Sequence, residues 1–390
     1  MADTTTSPPA KSRWFYPEEL KDDLLNLEIP DALKAETLNC SWEYVRCVIP
    51  HWTNWDRYIA YTRIVIMQCI CEFQGDLFRP EETDTMVGYK LQDLVDILFA
   101  GTPIHGQMSR EIHAYFVPAS EKSSSNKDGS ELFRRYVNAL AHSPKDYFRL
   151  RDCDASARFT IAAAWACNDV DLSKNWFNED QWQILAELAL GLYDSVAFFK
   201  HRAEGEVCNF FAYVGGDIRI ETTRLYREAM WALDTALQGK QENVYVISFM
   251  RPFGGPCHIM MRRYRFVEEG LTLGRPENAE VVSQTGKNVN LWFRVEPNAK
   301  MPEKERYNSV MARKDDLMYE GLAECLERSN TVQCSDCVQK STYGADDLYQ
   351  FGGVKLCVGC QQKWKQWVTS FPARMAEAFP EVKSLPNYWV

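Results

Sequence analysis

Apolar residues recur every three or four positions along most of the chain, the spacing that places them on one face of an α-helix. The segment PEELKDDLLNLEIPDALKAETLNCSWEYVRCVI follows this spacing and is broken at Pro30. WDRYIAYTRIVIMQCICEFQGDLF is long and apolar and turns acidic at its end, and YKLQDLVDILFAG is amphipathic and closes with glycine. Strand-like alternation is scarce before residue 275. The pattern therefore predicts an all-α domain of about ten or more helices over residues 13–325.

The pattern changes at both ends of this domain and once inside it. Residues 1–12 are polar and contain proline, which predicts a disordered N-terminus. The polar segment EKSSSNKDGS, at 121–130, predicts a flexible loop. After residue 325 the cysteines come in pairs, and QQKWKQWVTSF predicts a short helix near the end of the chain. Residues 326–390 are therefore expected to form a small zinc-binding module with a C-terminal helix.

Composition narrows the class of protein. Of the 390 residues, 46% are hydrophobic and 13% aromatic, which is enough for a large core. The formal charge of −10, without a basic block, disfavours nucleic-acid binding. The N-terminus lacks the apolar stretch of a signal peptide, and no apolar run is long enough to span a membrane. We therefore expect a cytoplasmic protein whose thirteen cysteines are buried thiols or metal ligands. The sequence does not determine its oligomeric state.

The clearest local motif is a pair of Cys-x-x-Cys sequences, Cys334/Cys337 and Cys357/Cys360, separated by 19 residues. Each can present two thiolates to one tetrahedral ion, so the spacing predicts a zinc site. FGGVKLC supplies the tight turn and strand that precede a second zinc knuckle. Four thiolates leave no open position, so the zinc would be structural, and we interpret the module as a clamp on the C-terminal helix. A redox role for either motif is the weaker alternative.

Acidic and basic residues on the helices provide a second set of candidates. Glu72 and Asp76 are four residues apart at the end of an apolar helix, which predicts one shared face and hard oxygen ligands for Mg²⁺. The alternative is a helix end that emerges into water. Arg151 and Asp154, in RDCDA, are three residues apart and could equally be a surface ion pair.

The order of the charged motifs resembles that of class I terpene synthases. An acid-ended helix is followed by Arg-x-x-Asp-small, by the acidic helix LYDSVAFFKHRAEGE, and by Arg263-Tyr264 after a Gly-rich kink. In that family, two acidic motifs hold Mg²⁺ against a prenyl diphosphate, an arginine senses the diphosphate, and a late Arg-Tyr pair closes the site. GDLF stands where the family has DDLFD, and RDCDA where it has Arg-x-x-Asp-Gly.

This sequence departs from the family pattern in both acidic motifs. In the second motif, only Asp194 and Lys200 keep the pattern. The positions that differ are Gly75 and Arg79, where the family has aspartates, and Tyr193, Ala197 and His201, where it has Asn, Ser and Glu.

Longer stretches resemble one divergent group, the fungal sesquiterpene synthases of abscisic acid biosynthesis (the α-ionylideneethane synthase family). They include TNWDRY, RDCDASARFTIA, YDSVAFFKHRAEGE, GGPCHIMMRRYRFVEE and YGADDLYQFGGVKLC, and the likeness runs from about residue 14 to the C-terminus. The resemblance implies a terpene-synthase-like helical bundle that converts farnesyl diphosphate to α-ionylideneethane. It implies elimination to a linear triene-type intermediate, reprotonation and cyclisation. Alternatives are another product within the family, a prenyltransferase, or a helical binding or scaffold protein whose zinc module recruits a partner.

The resemblance also implies roles for individual residues. For Mg²⁺ the candidates are Glu72 with Asp76, and Asp194 with His201 or Glu204. For the diphosphate they are Arg151, Lys200, Arg263 and Tyr264. For the carbocation they are aromatic faces, chiefly Trp55, Tyr61, Tyr193 and Phe198, with Trp52, Trp165 and Phe253 as further candidates. For acid–base chemistry they are His201, Glu72 and Asp154, which the sequence does not rank. Together these roles make Arg151, Asp154, His201 and Tyr264 the predicted catalytic residues.

Overall fold

A computed structural model of the protein describes residues 17–204, 206–261, 304–340, 343 and 352–385. The predicted disordered segment 1–12 and the Arg263-Tyr264 pair lie outside the described residues. Within them, the predicted all-α fold is confirmed, since the regular structure is helical apart from two very short hairpins. None of the helices in this part of the chain combines the length and the apolar character that a membrane crossing requires.

The helices of the described residues occur in the following order. Those before residue 205 are α1 (Asp31–Val48), α2 (Trp55–Cys71), α3 (Leu91–Leu98), α4 (His105–Lys122), α5 (Glu131–Leu140), α6 (Pro144–Ala155), α7 (Ala157–Ala166) and α8 (Glu179–Glu204). Those after it are α9 (Phe211–Val214), α10 (Arg219–Leu237), α11 (Asn243–Met250), α12 (Pro256–Met260), α13 (Glu305–Ala312), α14 (Lys314–Leu317), α15 (Leu322–Arg328), α16 (Val358–Thr369) and α17 (Phe371–Ala378). The strands are β1 (Thr85–Met86), β2 (Tyr89–Lys90), β3 (Val338–Gln339) and β4 (Val354–Lys355).

Several helix starts follow directly from local sequence. Helix α1 begins immediately after Pro30, the predicted break. At α2, the Asn54 side chain accepts a hydrogen bond of 3.2 Å from the backbone N–H of Arg57. Ser130 caps α5 in the same way. These caps satisfy backbone donors that have no partner within the helix, and they therefore define where each helix begins.

Helix α8 is the central element of the bundle. It is 26 residues long and packs against α6, α7, α10 and α17. Its apolar positions are buried on several sides, as expected of a helix surrounded by others. Gly191 allows α10 to approach closely, because a Cβ there would lie 2.6 Å from the Tyr226 ring. The buried side chains of α8, such as Asp194, therefore lie between helices of the N-terminal half of the bundle and C-terminal helices.

The segment 121–130 differs from the flexible loop that its composition predicts. Helix α4 continues through Lys122, and both Ser123 and Ser124 are buried. Ser123 Oγ donates a hydrogen bond of 2.6 Å to the backbone oxygen of Cys71, and Ser124 Oγ donates one of 3.0 Å to Asp76. The loop prediction was wrong at Glu121 and Lys122, which are helical. Ser123 and Ser124 do lie in a loop, but polar composition alone does not reveal that their hydroxyls have tertiary partners.

The C-terminal part contains the hairpin and helices expected around paired cysteines. Strands β3 and β4 are antiparallel, with Val338 opposite Lys355. Gly353, at φ +83°, makes the turn into β4 that FGGVKLC predicted. The predicted domain boundary at 325/326 falls inside α15, and the division into two domains stays a prediction.

Candidate functional site

Four charged side chains from three helices form a buried network. Arg151 and Asp154 lie about one turn apart on α6 and form an ion pair. The ammonium group of Lys122, the last residue of α4, forms a second ion pair with Asp154. Arg151 Nη2 donates a hydrogen bond of 3.3 Å to Asp194 Oδ1 on α8. Two cations and two carboxylates thus neutralise one another in the interior, where an isolated charge would be costly.

The exposed ion pair considered for Arg151 is excluded, because Arg151 and Asp154 are each only 5% exposed. Arg151 Nε is a buried donor, and no group of the described residues accepts a hydrogen bond from it. Unpaired buried donors are rare in proteins, and they often mark a position where water, an ion or a ligand belongs. A guanidinium N–H at such a position is well suited to an anionic oxygen.

Asp194 is held by several donors at once. Its Oδ2 accepts hydrogen bonds from the Tyr147 hydroxyl at 3.1 Å and from the Phe210 backbone N–H at 3.0 Å. Burial raises the pKa of Asp194 to about 6, and the attraction of Arg151 and these hydrogen bonds only partly oppose that rise. The carboxylate is thus satisfied by protein groups on both oxygens.

Helix α6 aligns two of these donors. Ser143 Oγ accepts a hydrogen bond from the backbone N–H of Asp146, and Pro144 fills the first helical position. The helix therefore starts at a defined residue. Tyr147 and Arg151, four residues apart, consequently lie on the same face and donate to opposite oxygens of Asp194.

Two buried histidines flank Tyr193, which lies one residue before Asp194 on α8. The ring centre of His201 is 5.6 Å from that of Tyr193, and the His258 ring centre is 4.7 Å from it. Asn209 Nδ2 bonds to His201 Nδ1 at 2.9 Å and also donates to the backbone oxygen of Asp194. Burial lowers the pKa of His201 well below its ordinary value and that of His258 to about 3. Both imidazoles are therefore neutral near pH 7.

Glu72 and Asp76 do not share a helical face, contrary to the prediction. Helix α2 ends at Cys71, and Glu72 is its C-cap. Asp76 lies in a separate 3₁₀ turn, is exposed, and accepts hydrogen bonds from the Ser124 side chain and the Ser125 backbone. The i,i+4 argument failed because the chain leaves the helix between the two carboxylates.

The predicted Mg²⁺ ligands are not gathered into one cluster by the protein. Among the described residues, the four cysteines form the only group of three or more His, Cys, Asp or Glu side chains close enough to share an ion. The predicted set of Glu72, Asp76, Asp194 and His201 forms no such group. The Glu204 side chain lies outside the described residues.

Gly75 stands where the resemblance to terpene synthases predicts an aspartate, and the packing around it leaves no room for a side chain. A Cβ at Gly75 would lie 1.9 Å from the backbone oxygen of Ser120, so any side chain there would collide with α4. At the other departure in this motif, Arg79 lies 3.8 Å from the Glu81 carboxylate and belongs to an ion pair. The packing of α4 therefore excludes an aspartate at position 75.

The predicted cavity aromatics occupy different surroundings. Tyr193 lies beside both histidines and packs against Phe253 at 5.9 Å between ring centres. Tyr61 is fully buried and its hydroxyl bonds to Thr160, whereas Trp55 belongs to a cluster with Tyr58 and others near the start of α2. The remaining candidates have these neighbours: Phe198 packs against Phe199 and Phe211, Trp52 against Tyr58, and Trp165 against Phe177 and Trp182. The contact of these rings with a carbocation stays a prediction.

The four cysteines meet at one point, as their spacing predicts. Their sulfur atoms all lie within 4.8 Å of one another, and Cys334 Sγ is 3.9 Å from Cys357 Sγ. Thiolates bound tetrahedrally to zinc are about 3.8 Å apart, so the geometry fits that ion. The backbone N–H of Cys357 also donates to Cys337 Sγ at 3.3 Å. This donor set can hold zinc with no open position for a substrate.

Comparison of the sequence with known proteins identifies its family. A family model described as alpha-ionylideneethane synthase aba3 matches residues 12–381. The chain belongs to this family. Alpha-ionylideneethane synthase aba3 of Botryotinia fuckeliana is 48% identical over 385 residues, covering 98% of this chain and 87% of the relative. Alpha-ionylideneethane synthase abl3 of Leptosphaeria maculans is 48% identical, covering 95% and 87%, and that of Pyricularia oryzae is 42% identical, covering 96% and 84%. The family membership predicted from sequence is confirmed.

Sequence reasoning missed Lys122 of the network and several residues around it in this member of the alpha-ionylideneethane synthase family. Lys122 was assigned to a flexible loop, although the helical spacing of α4 extends to it. Tyr147 stands four residues before Arg151, a signal that helical periodicity could have supplied. Asn209 and His258 carry no local signal, because their roles depend on how distant helices pack.

Proposed function

We propose that the protein is a sesquiterpene synthase that converts farnesyl diphosphate to α-ionylideneethane with release of diphosphate. The observation that carries the proposal is the buried Arg151, which Asp154 and Asp194 hold. Its Nε has no hydrogen-bond partner in the part of the chain that the structure describes. In a chain whose relatives carry the name alpha-ionylideneethane synthase, a buried cation of this kind is suited to an isoprenoid diphosphate.

The first step would be heterolysis of the allylic C–O bond, in which the electron pair leaves with diphosphate. Arg151 would donate from Nε to a phosphate oxygen, while Asp154 and Asp194 keep its guanidinium oriented. Lys200 and Arg263 would add positive charge. These groups stabilise charge that grows on the leaving group in the transition state, which is where an electrostatic contact accelerates the reaction.

The residues fit Mg²⁺ only in part. Mg²⁺ is commonly bound by one or two carboxylates together with substrate phosphates, and Glu72 and Asp76 would be those carboxylates. Asp194 fits less well, because three protein donors already bond to its two oxygens. Bound Mg²⁺ would supply further charge neutralisation for the leaving diphosphate. His201 and Glu204 as further ligands stay predictions.

The later steps would need a group that takes a proton and a group that returns it. His201 is the best placed of the three sequence candidates, because it is neutral, buried and adjacent to Tyr193. Asp154 is engaged with two cations, and Glu72 lies at the end of α2. Loss of one proton would give the linear triene-type intermediate, and reprotonation followed by ring closure and a second proton loss would give the product. The face of Tyr193 would stabilise positive charge during these steps.

The direct test is incubation of the purified protein with farnesyl diphosphate and Mg²⁺, followed by mass spectrometry of the extract. α-Ionylideneethane in the active sample, and none with heat-treated protein, is the expected result. A different sesquiterpene would retain the enzyme class and remove the product assignment. The absence of any hydrocarbon, where a control synthase works, would reject the proposal in favour of a binding or scaffold role. Chain growth on adding isopentenyl diphosphate would instead identify a prenyltransferase.

A further inference from the structure

The helix that carries Cys360 is linked to the buried charge network indirectly, through Trp364 and Tyr147. Trp364 lies four residues after Cys360 on α16, so the two side chains share a helical face. Trp364 is only 1% exposed, and both residues line the same cleft of about 360 Å³ between the cysteine module and the start of α6. The metal-binding sulfur and the indole are therefore connected by one rigid turn of helix.

Trp364 packs directly on the tyrosine that bonds to Asp194. Its ring centre is 5.1 Å from that of Tyr147, with the planes 76° apart, an edge-to-face contact. On its other side the indole stacks on Tyr213 at 5.3 Å. Tyr147 and Tyr213 also contact each other, at 5.5 Å. Three fully buried rings thus hold one another in place, which leaves Tyr147 little freedom to move alone.

We propose that Trp364 and Tyr147 are positioning residues through which the four-cysteine module holds Asp194, and with it Arg151, in the geometry that the reaction needs. Three successive contacts connect the module to Arg151. Trp364 packs on Tyr147, and the Tyr147 hydroxyl donates a hydrogen bond to Asp194 Oδ2. Asp194 Oδ1 in turn accepts a hydrogen bond from Arg151. The role assigned to Arg151 rests on the proposed function, whereas the coupling between module and network does not.

A neighbouring tryptophan on the same helix provides the matched control. Trp367 is half-buried and donates from Nε1 to Glu187, which is also on α8, at 3.0 Å. The guanidinium group of Arg374 lies 3.9 Å from the centre of the Trp367 ring. Replacing Trp367 therefore weakens the attachment of α16 to α8 without removing the contact on Tyr147. If kcat falls only because the module is held more loosely, it should fall in both Trp364→Ala and Trp367→Ala.

The experiment compares Trp364→Ala, Trp364→Phe, Tyr147→Phe and Trp367→Ala in the full-length protein. Zinc content, thermal midpoint, kcat and KM for farnesyl diphosphate are measured for each. We expect Trp364→Ala and Tyr147→Phe to lower kcat by about tenfold or more, with KM nearly unchanged, because misplacing a group that acts in the transition state slows the chemical step. Trp364→Phe should recover most of the lost kcat. Trp367→Ala should keep kcat within about twofold of the wild type, even though its thermal midpoint falls as far as that of Trp364→Ala.

A second readout does not depend on turnover. Fluorotyrosine incorporated at position 147 reports its surroundings by ¹⁹F NMR. Its signal should shift when zinc is removed by a chelator and in Trp364→Ala, and should stay in place in Trp367→Ala. A signal that ignores both zinc removal and Trp364→Ala would overturn the coupling, as would wild-type kcat in Tyr147→Phe. If the wild type makes no hydrocarbon but the signal shifts as expected, the coupling stands and the proposed function falls.

Discussion

Arg374 on α17 donates two hydrogen bonds, of 2.7 and 2.9 Å, to the fully buried carboxylate of Glu187 on α8. The hydroxyl of Tyr226 and the indole of Trp367 bond to the same carboxylate. Burial raises the pKa of Glu187 above its ordinary value even so, because the interior disfavours the charge. This bidentate pair attaches α17 to α8, the central helix of the bundle.

Removing one partner of this pair should be strongly destabilising. Arg374→Met leaves a buried carboxylate with less compensation, and we expect a loss of about 3–5 kcal/mol in the free energy of unfolding. The double variant Arg374→Met/Glu187→Gln should recover part of this loss, because the uncompensated charge is gone. Urea denaturation measures both. A double variant that is additive with respect to the singles would show that the two side chains do not act as a pair.

Arg151→Lys should separate the proposed leaving-group contact from stability. Lysine keeps the charge but loses the planar fork that bonds to Asp154 and Asp194, so turnover should fall about 100-fold or more. The control is Arg149→Lys on the same helix, where the arginine pairs with Glu111 and lies over the Tyr319 ring. The control should lose stability and keep kcat within about twofold. Wild-type turnover in Arg151→Lys would remove Arg151 from the site.

The pKa of Asp194 predicts a pH dependence of stability. The carboxyl titrates near 6 in the folded protein and at 3.8 ordinarily, so the folded state holds more protons between these values. The contribution of Asp194 to the free energy of unfolding is therefore fully present below pH 3.8 and is lost as pH rises through 6. The total loss is on the order of 3 kcal/mol. His201 acts in the opposite direction, since its lowered pKa makes stability fall as pH falls.

Comparison with Asp194→Asn isolates the Asp194 contribution. The difference in unfolding free energy between the wild type and Asp194→Asn, measured by urea denaturation from pH 4.5 to 7.5, should change steadily between pH 4.5 and 6 and level off above pH 6. Turnover should rise over the same range, because the ionised carboxylate is the form that holds Arg151. A difference that is flat from pH 4.5 to 6 would show that the pKa of Asp194 is not raised in the folded protein.

The helices and the cysteine cluster could be predicted because their signals are local. Pro30 and the capping side chain of Asn54 lie next to the helix starts, and the spacing of two Cys-x-x-Cys motifs is contained in 27 residues, from Cys334 to Cys360. The buried network could not be predicted as a unit. Lys122 and Asp154 are 32 positions apart, and whether they meet depends on how α4 packs against α6.

The prediction that Glu72 and Asp76 share a helical face was wrong for a related reason. The helical spacing was correct up to Cys71, but the acidic residues that follow belong to a turn shaped by Ser123 and Ser124 of a distant segment. Helix ends depend on tertiary partners when no local cap is present.

Zinc should be present at one ion per chain, and Cys360→Ser should lower its content and the thermal midpoint. Four thiolates bind a structural ion tightly, and loss of one ligand weakens both the ion and the attachment of α16. Cys325→Ser is the control, because Cys325 is a buried thiol on the adjacent α15 that lies outside the four-cysteine group. Metal analysis by mass spectrometry checks this. Full zinc content in Cys360→Ser, or zinc loss in Cys325→Ser, would contradict the assignment of the ligands.

Introducing at position 75 the aspartate that the resemblance to terpene synthases predicts should destabilise the protein rather than improve metal binding. Gly75→Asp and Gly75→Ala both place a Cβ 1.9 Å from the Ser120 backbone oxygen, so α4 must shift. We expect a loss of about 1–3 kcal/mol or more in unfolding free energy for each. The control is Gly106→Ala on α4 itself. A Cβ at Gly106 meets nothing within 4 Å, and alanine favours the helix. Thermal unfolding compares the three. A Gly75→Asp variant as stable as the wild type, with faster turnover at limiting Mg²⁺, would mean that the turn can open and that the acidic motif is recoverable.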